Sequence, residues 1–246
     1  MSKGISLEDK YKKRDGTVFL TGIQALVRLP LIQKEIDIKR NLDTGGFISG
    51  YKGSPLGGYD LELHRAKKFL DQNDIVHKPG LNEELGATAV WGSQQGEFHG
   101  RGMKDGVFGI WYGKGPGMDR SMDVFKHANA AGSSKFGGVL AIAGDDHAAK
   151  SSTLPHQSDH NFMSAYMPYL YPSGVSEIVS FGLLGFAMSR YSGCWVGLKI
   201  VSDVADSGRT YDTSIENEEI IIPSGAFLGE YKDLPRNILY TDTPRE

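Results

Sequence analysis

Short apolar bursts alternate along the chain with stretches in which apolar residues recur three or four positions apart. The bursts at 18–20, 47–50, 75–76, 107–112, 139–143 and 195–201 predict strands. Ile23, Leu26, Val27 and Leu31 keep helical spacing, with Pro30 expected to kink or break that helix. Further helices are predicted over 59–70, over 83–95 and over 119–131. Another is marked by Val175, Ile178, Val179, Leu183 and Phe186. The helix over 83–95 is rich in small residues (Gly86, Ala87, Ala89, Gly92) and so suited to close packing.

A strand–loop–helix unit repeated roughly six times predicts an α/β fold, a three-layer, mainly parallel sheet with helices on both faces. Ligands of such sheets bind beyond the carboxyl ends of the strands. The turns of interest are therefore 50–58, 113–120 and 144–157. The first carries the glycine-rich run 53–58 and the second the loop 113–117. Residues 1–208 read as one domain. Residues 209–246 are more polar and read as a tail or linker, with an extra strand expected at 220–222.

Charge and composition narrow the chemistry. A net charge of -3 leaves no basic footprint, which argues against nucleic acid as a partner. The single cysteine, Cys194, permits neither an internal disulfide nor an iron–sulfur cluster and is expected to be a small buried apolar residue. The N-terminal residues lack the apolar run of a signal peptide, and the longest uncharged stretch, 161–176, is too short to span a bilayer. A cytoplasmic protein with no membrane association is expected.

Common motifs fail. The crevice turns hold no G-x-G-x-x-G, Gly113-Lys114 is not followed by Ser or Thr as a phosphate loop requires, and H-E-x-x-H and G-x-S-x-G are absent. His156 and His160 stand four apart near Asp159 but lack an obvious third ligand, so no metal site is assigned to this chain.

The strings TGIQALVRLP (21–30), GFISGYKGSPLGGYD (46–60), AVWGSQQ (89–95), WYGKGPGMDR (111–120), DVFKHANAAG (123–132), GDDH (144–147), SSTLPHQ (151–157) and SRYSGCWVG (189–197) occur in order. Together, over about residues 5 to 205, they resemble the start of the fused bacterial indolepyruvate ferredoxin oxidoreductases, the thiamine-pyrimidine-binding (Pyr) domain. The resemblance implies a Pyr-type fold that supplies one half of a thiamine diphosphate site. It implies coenzyme A-dependent oxidative decarboxylation of indolepyruvate or other aryl pyruvates, with electrons passed to ferredoxin. Members of the family also carry diphosphate-binding, iron–sulfur and gamma-type parts. Those parts, with Mg²⁺ and 4Fe–4S clusters, are expected on partner domains or subunits of a dimeric assembly and not on this chain. Gly144-Asp145-Asp146 lacks the Gly-Asp-Gly that opens the diphosphate signature. The isolated chain is accordingly expected to be inactive.

The same resemblance assigns Glu83, in Gly80-Leu81-Asn82-Glu83-Glu84-Leu85, the catalytic role of hydrogen-bonding N1′ of the aminopyrimidine. On pattern alone Glu83 and Glu84 are equally first-turn helix residues favoured by the helix dipole, and Glu84 is the neighbouring choice. Lys114, Gly115, Gly117 and Asp119 form an expected cofactor-side loop, although a tight turn with a solvated lysine reads equally well. Ser54 matches the hydroxyl of a Tyr-x-x-Thr/Ser-Pro string that lies near substrate in related 2-oxoacid enzymes; as a residue it is also an ordinary turn serine. His156 and Gln157, with His147 and Lys150 nearby, are expected to meet a substrate carboxylate or coenzyme A. The alternatives are an oxidoreductase for another 2-oxoacid such as pyruvate, a non-catalytic assembly module, or a dehydrogenase with a degenerate nucleotide turn.

Overall fold

Every strand of the central sheet is parallel to its neighbours. The computed structural model describes residues 5–96 and 102–222. In chain order the elements are α1 (Asp9–Lys12), β1 (Thr17–Thr21), α2 (Gly22–Lys39), β2 (Thr44–Gly50), α3 (Tyr59–Arg65), α4 (Lys67–Asp71), β3 (Ile75–His77), α5 (Glu83–Gln95) and β4 (Gly106–Lys114). They continue with α6 (Gly115–Ala131), β5 (Val139–Asp145), α7 (Asp159–Ser164), β6 (Tyr169–Leu170), α8 (Val175–Ser192), β7 (Val196–Val201), α9 (Ser202–Asp206) and β8 (Gly208–Asp212). The six-stranded sheet has the order β3-β2-β4-β5-β7-β6.

Both faces of this sheet are covered, which is why its strands are apolar at nearly every position. Alternation along each strand divides the side chains between two cores. Ile48, Ile110, Tyr112, Leu140, Ile142, Leu198 and Ile200 pack with residues of α2, α3 and α8. Trp111, Val139, Ala141 and Ala143 pack on the opposite face with residues of α5, α6 and α7. Gly86 lets α5 cross β2 closely: a Cβ there would lie 2.8 Å from Gly50 Cα.

The chain leaves β2 for β3 on one side and leaves β4 for β5 on the other. The strand order reverses between β2 and β4, so the crevice between their carboxyl ends is the expected ligand position of an open parallel sheet.

Several expectations need correction. The burst at 18–20 is β1, but it pairs antiparallel with β8 in a separate two-stranded sheet. Pro30 does not interrupt α2, which runs on to Lys39. Proline lacks the N–H that would bond Leu26 O, and the buried Tyr59 hydroxyl reaches that carbonyl instead, at 3.4 Å. The helix expected over 59–70 is two, α3 and α4, meeting at Ala66. The loop expected at 113–117 is the end of β4 and the first turn of α6, where Pro116 suits an early helical position that needs no N–H partner. Cys194 is half-buried, not a core residue.

No strand forms at 220–222; the extra strand is β8, further upstream. The turn after it, Thr213–Asn217, places Glu216 against Arg28 of α2. Of the polar stretch from 209 onward, 223–246 lies outside the described residues. Among the described residues no helix is long and apolar enough to cross a membrane.

Candidate active site

Asn82 begins the site. Its side chain accepts a hydrogen bond from Leu85 N at 2.8 Å and caps α5, which makes Glu83 the first helical residue. Trp111 Nε1 donates to Glu83 O at 2.9 Å and ties this first turn to β4. The Glu83 side chain is only 16% exposed and lies against the start of α6. A Cβ at Gly117 would stand 2.4 Å from Glu83 Cγ, and one at Gly113 would stand 3.5 Å from it. Glycine at 117 leaves room for the carboxylate at the switch point, whereas glycine at 113 makes room for the Trp111 ring, 2.6 Å from where a Cβ would stand. Among the described residues the carboxylate pairs with Arg120 of α6, whose Nη1 lies at 3.6 Å. Among the described residues, no hydrogen bond to the carboxylate is formed. Glu84 is exposed.

A second group lies farther along the start of α6. His156 Nε2 is 3.0 Å from Asp119 Oδ2, and Asn161 donates to Asp119 Oδ1 at 2.8 Å. The imidazole is pressed against Gly115, where a Cβ would come within 2.0 Å of Nδ1. That Nδ1 is buried without a hydrogen bond, 3.6 Å from Asp145 Oδ1. Asp145, fully buried at the end of β5, accepts from Ser158 N at 2.8 Å and Ser158 Oγ at 2.6 Å. The buried Lys199 of β7 lies 3.6 Å from Asp145 Oδ2 and is hydrogen-bonded to Asp159. Burial pushes the Asp159 carboxyl up, but hydrogen bonds from Lys199 and Tyr169 outweigh it and hold Asp159 below its ordinary value.

A third group closes the crevice beside the turn after β2. Lys114 Nζ donates to Ser151 O at 3.0 Å, and the Ser54 and Ser151 hydroxyls are hydrogen-bonded to each other, with Ser54 the donor because the one Ser151 proton goes to Asp146. Asp146 accepts from Ser151 N at 2.8 Å and from its hydroxyl at 3.0 Å. The backbone hydrogen bond from Ser151 is the main cause of a lowered Asp146 pKa.

The structure thus brings Glu83 to Gly117, Gly115 and Asp119 to His156, and Lys114 to Ser54 through Ser151. Gln157 is exposed and meets the second group only through Asp159, which its side chain hydrogen-bonds. Lys150 pairs with exposed Asp203 at 3.3 Å. Sequence reasoning missed Asp145, Lys199, Ser151 and Arg120. Asp145 and Lys199 had a readable signal, since each is a lone charge within or at the end of an apolar strand. Ser151 and Arg120 had none, because loop and helix surfaces are ordinarily polar.

No family model matches the chain, and no curated protein matches it in sequence. In fold it is similar to a 2-oxoglutarate:ferredoxin oxidoreductase from Magnetococcus marinus solved with 2-oxoglutarate, coenzyme A and succinyl-CoA bound. The TM-score is 0.61 at 14% identity, and the match covers 80% of this chain. The matched region is 31% of that protein's chain.

Proposed function

We propose that this chain supplies the pyrimidine side of a thiamine diphosphate site in a 2-oxoacid:ferredoxin oxidoreductase, with indolepyruvate or another aryl pyruvate as substrate. The observation that carries the reading is Glu83: a carboxylate without a hydrogen bond among the described residues, with Gly117 leaving it room, at the switch point of the sheet. The fold similarity to a 2-oxoglutarate:ferredoxin oxidoreductase supports the same class. The aryl preference rests only on the family resemblance of the ordered strings over about residues 5 to 205.

The residues fit the cofactor's aminopyrimidine. A carboxylate with spare acceptor capacity suits a ring nitrogen that must gain a proton, and a side chain at Gly117 would fill the space that Glu83 now occupies. Thiamine diphosphate, when bound, supplies the carbanion chemistry that severs a 2-oxoacid's carboxylate from its keto carbon. Glu83 accepts the hydrogen bond from N1′ and holds a proton there. Gly115 and Gly117 keep side chains out of the cleft beside the ring. Ser54, joined to Ser151, turns its hydroxyl to a substrate oxygen, and Lys114 places positive charge on the same side. His156, held by Asp119, offers a second polar contact for a substrate carboxylate or for coenzyme A. The diphosphate, Mg²⁺ and 4Fe–4S clusters belong to partner domains or subunits.

A reconstituted assembly containing this chain tests the substrate class. Ferredoxin reduction is followed with indolepyruvate, phenylpyruvate, pyruvate and 2-oxoglutarate, each with coenzyme A. Highest kcat/KM for the two aryl substrates supports the proposal. Preference for pyruvate or 2-oxoglutarate removes the aryl specificity but keeps the chemistry. A folded, docked chain that supports no reduction with any of them points to an assembly module.

A further inference from the structure

A cavity of about 250 Å³ lies between the C-terminal half of α2, α8 and residues 216–222. Lys39 ends α2 shortly before β2 begins at Thr44, so the cavity stands beside the amino ends of the strands, at the other end of the sheet from the crevice that holds Glu83. Arg190 and Glu216 line it, and each already has a partner on α2. Arg190 holds Asp37 at 2.6 Å, and Glu216 holds Arg28. These pairs neutralise their own charges and fasten α8 and the turn 213–217 to α2, so the cavity has a fixed frame.

The other charges that line the cavity are open to a ligand. Lys39 and Arg40, at the end of α2, and Glu218 and Glu219, after the turn, are all exposed. Among the described residues no hydrogen bond or ion pair engages these four side chains, so the two cations and the two carboxylates face one cavity without pairing across it. Between them lie apolar walls that water still reaches: Ile36, Ala187 and Ile220 are half-buried, and Ile222 is 45% exposed. A ligand of a single charge is attracted by one pair and repelled by the other, whereas a molecule carrying both charges is attracted at both ends. The volume falls short of the roughly 300–1,000 Å³ of sites for drug-sized ligands, which favours a molecule the size of one amino acid over a nucleotide.

We infer that this cavity binds a free apolar α-amino acid as its zwitterion, with the carboxylate toward Lys39 and Arg40, the ammonium toward Glu218 and Glu219, and the side chain against Ile36, Ala187 and Ile220. Neither the proposed catalytic role of Glu83 nor the crevice of β2 and β4 enters this inference.

The test is an NMR titration of the ¹⁵N-labelled chain with L-phenylalanine and with two analogues that each keep one of its charges, 3-phenylpropionate and phenethylamine. Saturable shifts centred on Ile36, Ala187 and Ile220 are expected. L-phenylalanine is expected to bind about fivefold more tightly than either analogue, the upper range for one exposed charge pair. Arg40→Glu is expected to weaken L-phenylalanine and 3-phenylpropionate by about the same factor and to spare phenethylamine. Glu219→Lys is expected to weaken L-phenylalanine and phenethylamine and to spare 3-phenylpropionate. Both changes lie at exposed positions and leave the core intact. L-phenylalanine bound no better than the analogues, affinities unchanged by both substitutions, or no saturable shift at these residues overturns the proposal.

Discussion

Gly117 and Glu83 occupy each other's margin: the Cβ that any other residue would place at 117 falls 2.4 Å from Glu83 Cγ. The contact joins the first turn of α5 to the first turn of α6, so the position of the carboxylate depends on the absence of an atom on the neighbouring helix. Alanine costs nothing in backbone conformation inside α6 and raises helix propensity by up to about 1 kcal/mol. Gly117→Ala is therefore expected to leave the thermal midpoint within a few degrees of wild type while displacing the carboxylate. A misplacement on the order of 1 Å costs roughly 10²-fold in rate. Retained stability with a hundredfold loss of kcat/KM in the reconstituted assembly supports the contact's role. Unchanged activity shows that Glu83 is not held by it.

Arg28 and Glu216 form the second relationship with a measurable consequence. The arginine side chain is fully buried and the glutamate side chain is 4% exposed. Arg28 also donates to the carbonyls of Lys10 and Lys13, so one guanidinium fastens the N-terminal segment and the turn after β8 to α2. Removing one member of a buried pair leaves the other charge uncompensated, at a cost of roughly 3–5 kcal/mol. Glu216→Ala is expected to lower stability by about that amount in urea unfolding. A loss under about 1 kcal/mol, the range of an exposed pair, contradicts the burial of the pair.

Glu62 sets a pH dependence. Burial pushes its carboxyl up, but hydrogen bonds from Lys10, Tyr11 and Arg65 win and hold it at about 2, against an ordinary 4.5. A carboxyl whose folded value lies below its unfolded value stabilises the fold above the unfolded value. That contribution is full above about pH 4.5 and is lost as pH falls toward about 2. Glu62→Gln is expected to be less stable than wild type at neutral pH and to show a shallower decline across that window, measured by denaturant unfolding at each pH. Parallel stability curves for the two proteins contradict the assignment.

Much of this architecture was legible in the residues. The strands at 47–50, 107–112 and 139–143 are apolar runs bounded by glycine, and α5 falls at the predicted 83–95 because Asn82 is a strong cap. Pro30 misled because the compensating hydroxyl, Tyr59, is 29 residues away in sequence, and no local pattern reveals it. The loop expected at 113–117 is instead the end of β4 and the first turn of α6, because its three glycines serve close packing (Gly113 on Trp111, Gly115 on His156, Gly117 on Glu83) where composition alone suggests a turn. In the candidate site, Glu83, Lys114, Gly115, Gly117 and Asp119 follow strand ends and could be placed from sequence. The hub around Asp145 and Lys199 depends on β5 and β7 lying side by side, a pairing set by topology.

The central claim is the role of Glu83, and Glu83→Gln within the reconstituted assembly tests it most directly. Glutamine keeps the shape and an acceptor but cannot take up a proton, so kcat for indolepyruvate-dependent ferredoxin reduction is expected to fall by roughly 10²–10⁴-fold with the chain still folded and docked. Wild-type kcat in the Glu83→Gln assembly contradicts the account.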